Sequence, residues 1–196
     1  MVTRACERCG GELPLLARRD ARYCSGRCRT AACRARRAVP AELARCDRWV
    51  RHDARKAPLT PSGKPAASTR PRTWSSRRAV RASQAGVGEG FVLAGDGIAC
   101  IDLDGAIDAD GRLTGWAERI VAAAGATWIE VSPSGRGLHV WGRGNVGHGR
   151  RIKLPDGGGI EVYDRGRYIT VTGRRWPGSP ARLGGIQHLI EELVQR

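Results

Sequence analysis

Asp102 and Asp104 stand one residue apart in Ile98-Ala99-Cys100-Ile101-Asp102-Leu103-Asp104, a stretch whose pattern predicts a buried β-strand. Side chains alternate along a strand, so both carboxylates leave one face while Ala99, Ile101 and Leu103 anchor the other. Two carboxylates so close repel each other, and loss of water raises their pKa unless a cation compensates. A divalent cation answers that need, and hard oxygen ligands suit Mg²⁺ or Mn²⁺. The alternative is a strand that simply ends in acidic turn residues, since Gly105 follows at once. A second group is made of thiols. Cys6-Glu7-Arg8-Cys9 and Cys24-Ser25-Gly26-Arg27-Cys28 are two close pairs, the pattern of a closed tetrahedral structural zinc site.

The elements that position these groups follow from pattern. The segment around the cysteines is too short to bury a core, and metal binding would supply folding free energy of about 10 kcal/mol or more. Gly10-Gly11 suits a knuckle turn, and Arg29-Thr30-Ala31-Ala32-Cys33-Arg34-Ala35-Arg36-Arg37 reads as a helix leaving the second pair. Cys33 reads as a helix-face residue, with replacement of a ligand in a distorted site as its alternative, and Cys46 and Cys100 read as small helix and core residues. From Pro40 a helix is expected to about His52, striped by Leu43, Cys46 and Val50. Lys56 to Pro71 carries proline and Pro-Ser-Gly turn signals, an ordered or semi-rigid loop. A helix is expected from about Trp74 to Ala85, with Ser75 as N-cap and Gly86 as stop.

Further on, Gly90-Phe91-Val92-Leu93 and Ile98 to Asp104 flank a Gly-rich turn and read as a hairpin. A helix spans about Thr114 to Ala124, and strands follow at Trp128 to Val131 and Leu138 to Trp141. Residues 142–159 read as a mobile Gly-rich, basic loop. A last hairpin pairs Ile160 to Tyr163 with Arg167 to Thr172. The fold class expected is α+β, a two-layer sheet core behind a small zinc module. The division is 1–38 zinc module, 39–88 helical and Pro-rich link, 89–176 core, and 177–196 amphipathic helix with Ile186, Leu189, Ile190 and Leu193. Alternation then puts Asp102, Asp104, His139 and Glu161 on one sheet face, since Leu138 and Val140, and Ile160 and Val162, take the other.

Charge adds a partner. Lys and Arg exceed Asp and Glu by fifteen, and all of that excess lies in residues 1–82, where 21 basic residues meet 6 acidic ones. Residues 83–196 hold 13 of each. A basic arm ahead of a neutral domain is the footprint of phosphate binding, whereas mere Arg-rich bias would spread along the chain. With no run of 18 apolar residues and no signal-peptide start, a soluble cytoplasmic chain without a membrane partner is expected. Seven cysteines in that setting argue for metal rather than disulfides.

Two resemblances follow. Tyr23-Cys24-Ser25-x-x-Cys28-Arg29 before an Arg/Ala helix resembles treble-clef-like zinc modules of mobile-element proteins. Ile101-Asp102-Leu103-Asp104, Glu130-Val131-Ser132-Pro133-Ser134-Gly135-Arg136-Gly137-Leu138-His139, Ile160-Glu161-Val162-Tyr163 and Arg167-Tyr168-Ile169-Thr170-Val171-Thr172-Gly173 resemble the phage and plasmid primase–polymerase domain. That domain belongs to the archaeo-eukaryotic primase superfamily and has an RRM-like core. The likeness begins near residue 48 and includes Lys56-Ala57-Pro58. It implies Asp102, Asp104 and Glu161 as Mg²⁺ or Mn²⁺ ligands, with His139 beside them in catalysis. Ser134, His139 and Arg167 would contact the nucleotide. The implied activity is template-directed nucleotidyl transfer in DNA replication, with single-stranded DNA and nucleoside triphosphates as partners and a separate helicase as a candidate third. The rivals are a non-catalytic nucleic-acid-binding replication factor and a metal-dependent nuclease.

Overall fold

The structure is a computed structural model that describes residues 4–14, 16–36, 39–155 and 157–195, with the backbone alone for 34–36. The chain forms two compact units, Met1–Ala38 and Val39–Arg196. In the first, Ala5 bridges back to Glu12. Gly10 turns the chain between them at φ 73°, a backbone region open to glycine at little cost. Helix α1, Gly26–Arg36, begins inside the second cysteine pair. Ser25 Oγ accepts from the Cys28 N–H at 3.2 Å, satisfying a helix-start donor. Arg37, to which the sequence extends this helix, lies outside the described residues.

The second unit has three layers. Its centre is a six-stranded sheet in the order β10 (Gly184–Gly185), β6 (Leu138–Arg143), β4 (Ile98–Asp104), β8 (Gly159–Tyr163) and β7 (Arg150–Lys153), with β5 (Trp128–Val131) also on β6. One face carries Ala99, Ile101, Leu103, Leu138, Val140, Ile160 and Val162 against α4 (Gly115–Ala124) and α5 (Gln187–Val194). The periodic apolar residues of the last helix, Leu189, Ile190 and Leu193, are buried there. The opposite face packs on a second, four-stranded sheet: β2 (Pro58–Leu59), β1 (Trp49–His52), β3 (Gly88–Ala94) and β9 (Arg165–Val171). An aromatic chain crosses between the sheets. Trp49 meets Phe91 at 5.2 Å between ring centroids, Phe91 meets Trp141 at 5.9 Å, and Trp141 meets Trp128 at 5.8 Å. Among the described residues no helix is long and apolar enough to cross a membrane.

Mixed helices and largely antiparallel sheets agree with the α+β expectation, but the expected two layers become three because several local readings change. The predicted helix from Pro40 to His52 shrinks to α2, Ala41–Ala44. Trp49–His52 pairs instead with β3, which buries the Trp49 ring fully. Three apolar residues at helical spacing are thus outweighed by long-range pairing. The next helix, α3, is only Arg77–Ala82 and is capped by Ser76, whose side chain accepts from Ala79 N–H. Ser75 bridges Trp49 instead. Neither predicted hairpin forms. β3 and β4 lie in different sheets, as do β8 and β9. A single residue, Asp164, separates β8 from β9, so the chain bends from one sheet into the other, as strands at the corners of packed sheets do. Residues 142–159 are not one loop, since β7 pairs with β8 along Arg150–Lys153.

Candidate functional site

Along β4 one face passes from core to solvent. Ile98 and Cys100 are buried beneath the second sheet, Asp102 is half-buried, and Asp104 is exposed. The register then sets a polar row at right angles to the strands. Asp102 lies opposite His139 of β6 and opposite Glu161 of β8. His139 in turn faces Glu130 of β5, and Glu161 faces Arg151 of β7. Directly opposed residues share a face, so the row Glu130–His139–Asp102–Glu161–Arg151 runs across five strands on one side.

Glu130 sits at the closed end. It is fully buried and its carboxylate accepts from His139 Nδ1 at 3.1 Å and Trp141 Nε1 at 3.2 Å. The other oxygen accepts from Gly173 N at 2.7 Å, Thr172 N at 3.0 Å and Thr172 Oγ1 at 3.1 Å. A carboxylate can only accept, so Nδ1 carries a proton and Nε2 faces Asp102. Burial by itself would lower the His139 pKa; the Glu130 hydrogen bond and the Asp102 charge outweigh it and hold the imidazole above its ordinary value. Burial, followed by the charges of Asp104 and Glu161, pushes the Asp102 carboxyl up against the pull of His139 and Lys56.

Asp102 Oδ1 is buried and has no hydrogen-bond partner. The His139 Nε2 atom lies 3.7 Å away, too far to serve as one. An orphaned carboxylate oxygen is costly, and a hard cation is the partner that suits it. The chemistry of this oxygen suits Mg²⁺ or Mn²⁺, although Asp102, Asp104, His139 and Glu161 do not bring three ligand atoms within 4.8 Å of one another. Glu161 is engaged elsewhere, by an ion pair with Arg151 and by the Tyr163 hydroxyl, which donates at 3.0 Å. Asp102, Asp104 and His139 line one cavity of about 280 Å³ with Lys56, Ser132, Ser134 and Tyr168. The structure thus brings Ser134 to the carboxylates. It does not bring Arg167 into that lining: its guanidinium lies over the Tyr163 ring, 5.1 Å from the centroid. Gly137, the small residue two before His139, is excluded from bearing a side chain, because a Cβ would stand 2.8 Å from Leu103 O and from Ser132 Oγ.

The thiols form the other site. Cys6, Cys9, Cys24 and Cys28 place their sulfurs within 4.8 Å of one another, the one such group of ligating atoms among the described residues. Cys24 Sγ lies 3.6 Å from both Cys9 Sγ and Cys28 Sγ. A zinc tetrahedron with Zn–S bonds of about 2.3 Å has edges of about 3.8 Å, so the cage is close to size. Backbone N–H groups, that of Cys24 foremost, bring the Cys6 thiol down to about 6. Sharing of a proton with Cys28 and Cys9 lifts Cys24 to about 12. One thiolate forms readily and the next is resisted, a repulsion that a divalent cation relieves. Cys33 is exposed on α1 outside this group, Cys46 donates to Glu42 O at 3.2 Å, and Cys100 is buried on β4.

Two residues at the carboxylate site carry no signal strong enough to be assigned from sequence. Glu130 could have been found by alternation, since Ile129 faces the helices. Lys56 stood in the resemblance only as part of Lys56-Ala57-Pro58, with no role, because its place at the cavity depends on the meeting of two sheets.

No family model matches the chain. Over 141 residues it is 36% identical to a DNA primase-polymerase of Nitratiruptor phage NrS-1, an alignment covering 66% of this chain and 19% of that protein. The chain therefore spans about a fifth of the length of that relative. The similarity supports a relationship to a primase–polymerase.

Proposed function

We propose that the second unit is a primase–polymerase core: a template-directed nucleotidyltransferase of DNA replication, in a phage or other mobile element, that takes nucleoside triphosphates. The first unit would hold a structural zinc and a basic surface for DNA. The observation that carries this reading is the transverse row with its orphaned Asp102 oxygen, in a chain whose sequence is related to a phage primase-polymerase.

Asp102 and Asp104 would hold Mg²⁺ or Mn²⁺, and Glu161 would join them once its carboxylate turns from Arg151 and Tyr163. Such ions would neutralise charge on the reacting phosphates and stabilise the attacking and leaving oxygens. The chain's own residues do the positioning. Glu130 holds the imidazole of His139 with Nε2 toward the cavity, where the doubly protonated ring, favoured by its raised pKa, can donate to a phosphate oxygen. The hydroxyls of Ser132 and Ser134, 3.0 Å apart on a tight turn, offer further donors. Arg151 pairs with Glu161 on the strand position opposite Asp102. Arg167, held over Tyr163, is a triphosphate contact only if the nucleotide extends beyond the cavity toward that ring.

The test is primer synthesis and extension on single-stranded DNA by the wild type and by Asp102→Asn. The substitution removes one ligand charge with almost no change of shape. Activity should fall by about 10³-fold or more, as loss of several kcal/mol of phosphoryl-transfer stabilisation implies. DNA binding and folding should survive. Equal activity in the two proteins would refute the assignment of this strand. A wild type that binds DNA without synthesis would favour the non-catalytic factor, and cleavage of DNA with Mn²⁺ alone would favour the nuclease.

A further inference from the structure

The link between β1 and β2 is a short hairpin turn. Lys56 N–H donates to Asp53 O at 3.0 Å, and Asp53 N–H donates to Ala57 O at 3.0 Å. Such a turn ends in a left-handed residue, which hairpins commonly fill with glycine or asparagine. Here it is Lys56, at φ 63°, the one non-glycine residue with positive φ among the described residues. A lysine in this conformation carries strain and persists only where its surroundings impose it.

The surroundings do impose it. Asp53 Oδ1 accepts from Arg55 N at 2.9 Å and from Ala57 N at 2.7 Å, bracketing Lys56. The Tyr168 hydroxyl donates to the Lys56 carbonyl. The Tyr168 ring in turn lies over Gly90, where a Cβ would come within 2.6 Å of it. A glycine at one strand thus admits the ring that pins the strained residue at the next loop.

Strain of this kind aims a side chain. Lys56 lines the cavity that holds Asp102, Asp104, Ser132, Ser134 and His139. Its ammonium makes no hydrogen bond or ion pair among the described residues, although its charge is felt at Asp102 and His139. Were it there only to neutralise the carboxylates, Asp102 Oδ1 would not be left without a partner. A free cation beside serine hydroxyls and a histidine ring is suited to an anion with several oxygens.

We propose that Lys56 binds the phosphate oxygens of the incoming nucleoside triphosphate, and that its left-handed backbone is retained to aim it there. The assignment rests on the reading of this cavity as the nucleotide site. A phosphate of the DNA strand is the other source of the same chemistry, and the test separates the two.

The full chain and its Lys56→Gly, Lys56→Ala and Lys56→Arg variants would be compared in thermal unfolding, in equilibrium binding of a Mg²⁺–nucleoside triphosphate, and in binding of a single-stranded oligonucleotide. Lys56→Gly should unfold about 2 °C higher, because glycine accepts the conformation, and Lys56→Ala should not. Both should bind the nucleotide about tenfold or more weakly, the loss expected of one charged hydrogen bond, while Lys56→Arg stays within about threefold. Oligonucleotide affinity should not change. A loss confined to the oligonucleotide overturns the assignment, as does unchanged nucleotide affinity in the glycine and alanine variants. A wild type that binds no nucleotide at all overturns the reading of the cavity along with it.

Discussion

His139 Nδ1 lies 3.1 Å from Glu130 Oε1, and the two side chains are almost wholly withdrawn from solvent. A buried carboxylate that satisfies five donors fixes the direction of the ring whose other nitrogen faces Asp102. Glu130→Gln keeps the shape but turns part of an acceptor into a donor, against N–H groups that cannot accept. It should cost about 1–3 kcal/mol of stability, and primer synthesis should fall with the imidazole misdirected. Denaturant unfolding together with the synthesis assay checks both; an unaltered protein would mean that the ring is held by packing alone.

The thiol cage predicts bound metal. Purified protein should carry about one zinc per chain, as four thiolates in a closed site imply. Cys24→Ser should lose that metal and unfold the first unit while the second keeps its own melting transition. Full zinc content in a Cys6, Cys9, Cys24 and Cys28 quadruple substitution, measured by elemental analysis, would contradict it.

The concentration of positive charge in residues 1–82 predicts where DNA affinity arises. A chain beginning at Val39 should bind single-stranded DNA more weakly and with a flatter dependence on salt, because fewer counterions are released. An affinity and salt slope equal to those of the whole chain would place the phosphate contacts in the second unit.

Asp164, the residue between β8 and β9, predicts an acid limit. It is almost fully buried. Burial works to raise its pKa, but the Arg165 guanidinium at 3.0 Å and the Val146 N–H at 3.0 Å outweigh it and hold the carboxyl below its ordinary 3.8. A carboxyl depressed in the folded state contributes stability that is present above its unfolded value and is lost as pH falls through the folded one. Stability of the wild type should therefore decline as pH drops below about 4. Asp164→Asn should start lower and lose less over the same range. Parallel urea titrations across that range would show it, and equal slopes would exclude Asp164 as a contributor.

Much of the site was legible from local chemistry. Asp102 and Asp104 share a face because a strand has a period of two, and the same rule aligned His139 and Glu161 with them before any pairing was known. The cysteine pairs were legible because short loops force their thiols together. What the sequence could not decide was which strands meet. Gly90 to Leu93 and Ile98 to Asp104 look like a hairpin in isolation, yet burial of Trp49, Phe91, Trp128 and Trp141 between two sheets sends them apart. Pairing is settled by contacts distant in sequence, which local propensity does not contain. The same distant contacts bury Glu130 behind His139 and bring Thr172 and Gly173 to it. They also carry Lys56 from a hairpin turn, where glycine would sit more easily, to the edge of the carboxylate cavity. Alternation along each strand thus determined which side chains face the site, and the packing of one sheet on the other decided which are buried, which are strained and which are left without a partner.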